Sequence, residues 1–145
     1  MKIKRAVYFL FSLLILSGCD KEPKFEIYEN HEISACAITD PVENSRWLSD
    51  FIDNNIGSTN NITIYLYSNN ETKEENIVID ITPNRGENSN VSANPYFWKK
   101  VYSCSGEQLF ITESGEIDYE SWDNFFYSNL NNIKGIIWYR KIVSQ

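Results

Sequence analysis

Beyond residue 40 the chain switches between two hydrophobic periods. Trp47, Leu48, Phe51, Ile52 and Ile56 stand at i, i+1, i+4, i+5 and i+9, one apolar stripe at helical spacing. Asp40-Pro41 marks a turn ahead of it, Asn44 or Ser45 can cap it, and Gly57 supplies a stop, so the spacing predicts a helix from about residue 44 to 56. The period then shortens to two. Ile62, Ile64 and Leu66 alternate with Thr63, Tyr65 and Tyr67, and Ile77, Ile79 and Ile81 alternate with Val78 and Asp80. Two strands joined by the polar stretch 69–75 form a predicted hairpin. Residues 83–95, rich in Asn, Ser and Gly, read as a loop. A third strand is predicted over 96–104 and a fourth over 108–112, set apart by Ser105-Gly106 and closed by Ser114-Gly115. Trp122, Phe125, Phe126 and Leu130 return to helical spacing over 119–130, and 133–143 closes the chain as a β-rich strand. The sum is an α+β domain: a small antiparallel sheet of about four to five strands with two helices.

The N-terminus follows neither period. Lys2, Lys4 and Arg5 precede an apolar run from Ala6 to Leu16, and Ser17-Gly18 lead into Cys19. A run this short, against the roughly 20 residues of a spanning helix, reads as a lipoprotein signal over 1–18 with Cys19 as the acylated mature N-terminus. Residues 19–40 then read as the lipidated end and a polar tether, and 41–145 as the single domain. The expected partner of the N-terminus is the lipid bilayer, held through acylated Cys19.

This reading changes the charge and cysteine arithmetic. The signal holds three of the 13 basic residues and none of the 20 acidic ones, so the mature 127 residues carry 10 against 20, a net charge of about −10. Such a surface disfavours nucleic acid and mainly serves solubility. Once Cys19 is committed to lipid, Cys36 and Cys104 remain, an even pair in an exported chain. A bridge between them would close a loop of about 68 residues and contribute roughly 4 kcal/mol; two separate core thiols are the alternative.

No catalytic constellation stands out. The single histidine, His31, falls on the expected tether, and neither a nucleophile elbow nor a phosphate loop occurs. Two distant cysteines without a CxxC pair do not make a metal site, and no cofactor is expected. Glu113, Glu116, Asp118, Glu120 and Asp123 gather around Gly115. They read first as a solvated helix cap, then as an oxygen-ligand cation site or a carboxylate pair. Trp47, Phe51, Trp122, Phe125 and Trp138 fall on predicted core faces. Tyr65, Tyr67, Tyr96 and Trp98 line the second face of the sheet, which is either a binding platform or a surface covered by a helix.

Four stretches carry a resemblance. Asp40-Pro41-Val42-Glu43-Asn44-Ser45-Arg46-Trp47-Leu48, Ile62-Thr63-Ile64-Tyr65, Val101-Tyr102-Ser103-Cys104-Ser105-Gly106-Glu107 and Ile133-Lys134-Gly135-Ile136-Ile137-Trp138 resemble the small cell-envelope lipoproteins of Bacteroidetes. Arg46 stands where that pattern has Pro. Gln108-Leu109-Phe110 lacks the pattern's second cysteine, which leaves Cys36 for Cys104. The Cys19-Asp20-Lys21-Glu22 start is similar to their surface-export signals, whereas in enterobacteria Asp after the cysteine resembles an inner-membrane retention signal. The resemblance implies an outer-membrane or cell-surface location and no particular activity. The resulting expectation is a non-enzymatic envelope lipoprotein presenting a small module to a protein or ligand, inhibitor- or immunity-like. The alternative is a carboxylate- or calcium-dependent envelope hydrolase.

Overall fold

Strand β4 (Asn61–Ser68) organises the molecule because its alternation buries both faces: Ile62, Ile64 and Leu66 on one side, Tyr67 on the other. A computed structural model describes residues 24–69, 72–83, 98–129 and 132–143. The remaining elements are β1 (Lys24–Glu29), β2 (Ser34–Ala35), β3 (Ile38–Thr39), α1 (Pro41–Asn44), α2 (Arg46–Asn55), β5 (Glu75–Thr82), β6 (Lys99–Tyr102), α3 (Tyr119–Asn129) and β7 (Ile133–Val143). Five strands form one antiparallel sheet in the order β1-β7-β4-β5-β6, and β2-β3 form a separate two-stranded ribbon. The α+β class and the antiparallel sheet expected from the sequence are both present.

The β4–β5 hairpin pairs Leu66 with Ile77, Ile64 with Ile79 and Ile62 with Ile81, placing six aliphatic residues on one face. Strand β7 joins the other side of β4 with an irregularity: Ile64 pairs with Trp138 but Tyr65 with Ile136. Ile137 is the extra residue of a bulge, which lets consecutive Ile137 and Trp138 both enter the same core. Leu48 and Ile52 of α2, with Val42 of α1, cover this face. The predicted single helix is preceded by the separate turn α1, because Ser45 adopts an extended conformation (φ −96°, ψ 103°) between the two. Gly57 does not take the left-handed conformation of a glycine stop, and the Asn55 side chain instead donates to the Phe51 carbonyl at 2.8 Å. On the opposite face Tyr67, Val78 and Val101 pack beneath Phe125 and Phe126 of α3. The layers are therefore helix, sheet, helix.

Two expectations require correction. Residues 24–40 are not tether: Lys24–Glu29 pair with the whole second half of β7, and Ser34–Thr39 form the ribbon whose Ala35 is buried. The charges of β1 mark an edge strand exposed at every position, a common way to protect a sheet edge. Residues 108–112 do not form a fourth strand; they make only isolated bridges, Tyr102 to Gln108 and Ile111 to Ile117. The expected loop over 83–95 lies outside the described residues from 84 onward, as does Cys19. Among the described residues no helix is long and apolar enough to cross a membrane.

Candidate functional site

The bridge between Cys36 and Cys104 is formed, with Cα atoms 5.4 Å apart. It ties the tip of the β2–β3 ribbon to the turn after β6. That turn depends on Gly106 (φ +87°), whose amide donates to the Ser103 carbonyl at 3.0 Å. A Cβ there would lie 2.6 Å from Trp47 Cγ, so the position needs glycine for space as well as for conformation. Trp47 in turn stacks on Tyr102 at 5.4 Å and donates its indole N–H to the Cys104 carbonyl at 3.2 Å. Helix α2, the disulfide and the end of β6 are thus one rigid unit.

Past this unit the chain doubles back twice. Leu109 donates to Val101 of β6 at 2.8 Å, and Thr112 and Glu116 close a second turn around Gly115 (φ +83°). Asp118 then starts α3: its carboxylate accepts the Ser121 amide at 3.1 Å and the Ser121 hydroxyl at 2.7 Å. These Ser121 bonds hold the Asp118 carboxyl below its ordinary pKa. Within the acidic cluster Asp118 is thus a helix cap, and among the described residues no group of three or more His, Cys, Asp or Glu side chains is placed to hold a metal ion.

Residues 108–111, the turn at Gly115 and the start of α3 line a groove of about 780 Å³ along β6. Its walls include Lys99, Lys100, Phe110, Glu116, Tyr119 and Trp122. Lys99 is committed, its ammonium 3.7 Å from Asp80 and its carbonyl accepting the Trp122 indole N–H at 3.2 Å. Lys100 forms no ion pair among the described residues. Phe110 reaches the groove with a left-handed backbone (φ +59°), an uncommon conformation for a bulky side chain. It is held there by Phe125, 5.3 Å away between ring centroids. Such strain persists only where the surroundings over-determine it, and it concentrates at binding sites.

Of the two readings of the Tyr65, Tyr67, Tyr96 and Trp98 face, a platform or a surface covered by a helix, the structure shows cover at Tyr67. Tyr67 is only 7% exposed and meets Phe125 at 5.9 Å and Phe126 at 6.1 Å. Burial, then the neighbouring Tyr65 and Asp80, push its hydroxyl pKa up. Tyr65 and Trp98 are half-buried, and Tyr96 lies outside the described residues. The groove residues Lys100, Phe110 and Tyr119 were not singled out by the sequence. The one signal for them was the pair of Ser-Gly turns bracketing 108–112. His31, expected on a free arm, is instead held at the surface between Asp40 (2.9 Å) and Glu29 (3.4 Å).

A scan against protein-family models finds no match to the chain, and comparisons with curated proteins and with solved structures find none.

Proposed function

We propose that the protein is a membrane-anchored envelope lipoprotein whose domain binds a protein or ligand in the groove beside β6. The observation that supports it is the groove itself: a concave surface of about 780 Å³ with aromatic walls and with Lys100, which forms no ion pair among the described residues. Phe110, Tyr119 and Trp122 offer flat apolar area. Lys100 offers one charge for a carboxylate or carbonyl of the occupant. The export signal ending at Cys19 and the disulfide agree with an oxidising compartment outside the cytoplasm.

The test is affinity capture with variants. The exported chain is immobilised, and proteins and small molecules retained from the source cells are identified by mass spectrometry. A groove occupant is lost on Lys100→Glu and on Tyr119→Ala, while Tyr127→Ala, on the exposed side of α3, leaves it bound. An occupant unaffected by both groove changes would refute the site.

A further inference from the structure

Of the nine large apolar side chains exposed among the described residues, four lie together. Phe25 (41% exposed), Ile27 (44%), Tyr28 (41%) and Val143 (45%) gather at one sheet edge, where β1 pairs with the end of β7. The register puts Phe25 and Ile27 on the α2 side, opposite Ile142 and Arg140, and Tyr28 on the other side, stacked on Tyr139 at 5.2 Å. The edge therefore presents apolar groups on both of its faces. Phe25 lies over the guanidinium of Arg140 at 3.6 Å, and Lys141 over the Tyr139 ring at 4.4 Å. Lys24 and Lys141 stand on this edge beside Glu26 and Glu29, while Arg140 is buried.

At the far edge β6 carries Lys99 and Lys100, and the segment after it is acidic. Residues 107–123, which line and follow β6, contain six acidic side chains and no Lys or Arg. Four strand spacings separate β1 from β6, about 19 Å.

We propose that the β1 edge rests on the lipid surface, with Phe25, Ile27 and Tyr28 in the headgroup layer and the β6 groove facing away from the membrane. The inference rests on the lipoprotein reading of Cys19. Five residue steps join Cys19 to Lys24, a reach of at most about 18 Å, so β1 cannot stray far from the acyl chains. Aromatic and aliphatic side chains beside lysines are the composition that settles at a bilayer interface. Repulsion of the acidic segment 107–123 from anionic headgroups works in the same direction. The free backbone groups of β1 limit the depth: they need water, which the headgroup layer supplies and the hydrocarbon does not.

The experiment uses the full chain, exported and processed in bacteria, reconstituted in vesicles of phosphatidylethanolamine and phosphatidylglycerol with brominated acyl chains. Phe25→Trp and Tyr127→Trp variants are compared after subtracting the native tryptophans. Mass spectrometry of the Cys19 peptide is read on the same samples. Acylated Cys19 with bromine quenching and blue-shifted emission at position 25, and neither at 127, is the expected result. Acylated Cys19 with equal quenching at both positions, or none at 25, overturns the orientation and leaves the anchor standing. Unmodified Cys19 removes the tether and overturns both readings.

Discussion

The two faces of the sheet are built differently. The face under α1 and α2 is aliphatic and dry: Ile62, Ile64, Ile79, Ile137 and Trp138 have no measurable exposure, and Leu48 and Ile52 close over them. The face under α3 buries Tyr67, Val78 and Val101, and its helix adds buried Trp122 and half-buried Phe125 and Phe126. Strict alternation of isoleucine along β4 and β5 makes the first face close-packed. The second face gathers tyrosine and phenylalanine, whose rings meet edge-on and tilted and leave the groove open beside β6. One face fixes the fold, and the other is the more loosely packed.

The strongest test of this division is a pair of truncations. Trp138→Ala is expected to cost about 4–5 kcal/mol, because a fully buried ring leaves a cavity that the isoleucines around it cannot fill. Phe125→Ala removes a half-buried ring and is expected to cost about 2 kcal/mol. Urea unfolding with the disulfide intact measures both. Equal losses would mean that the α3 layer carries as much of the stability as the α2 layer.

The disulfide comes next. It clips the α2 side alone, joining the ribbon β2–β3 to the turn after β6. Replacing Cys36 and Cys104 together with Ala is expected to cost about 4 kcal/mol through the loop of 68 residues. A variant of unchanged midpoint would show that packing of Trp47 already holds the turn.

That packing is tested by Gly106→Ala. The added carbon meets the Trp47 ring and must also adopt a positive φ, for an expected loss of about 2–3 kcal/mol. A parallel Gly115→Ala change meets nothing within 4 Å and pays only for its φ of +83°, about 1 kcal/mol. If the two losses are equal, the contact with Trp47 contributes nothing.

How far these regions were legible follows the same division. The aliphatic face could be read from Ile62, Ile64 and Leu66, since burial on one side and period two are a single signal. The bulge at Ile137 could not, because register irregularities arise from pairing with β4 and leave no mark in a run that is hydrophobic throughout. Strand β1 was missed although Phe25 and Ile27 alternate with Lys24 and Glu26. Every position of an exposed edge is compatible with solvent, so its charges resembled those of a tether. The groove was missed for a geometric reason. Phe110 and Tyr119 reach β6 only after two glycine turns and a left-handed residue, and none of these is encoded in hydrophobic period. The tyrosines of β4 raised two readings, platform or covered face, and the helical spacing of Trp122, Phe125 and Phe126 supplies the cover.

The smallest expected effect lies at the surface of the α2 side. His31 bridges Asp40, which caps α1, and Glu29 at the end of β1. The hydrogen bond to Asp40 and the charges of Asp40 and Glu29 raise its pKa above the ordinary 6.5. A raised folded-state value means that the folded protein holds this proton more tightly than the unfolded chain does. The stabilisation is then complete below the unfolded pKa near 6.5 and is lost as the pH rises through the higher folded value. NMR titration of the imidazole should give a midpoint above that of the unfolded chain, and His31→Ala should flatten the stability profile in this window only. A midpoint at or below the unfolded value would detach β1 from α1 electrostatically. The α2 face would then be held by its aliphatic core and its disulfide, with no contribution from the charged rim.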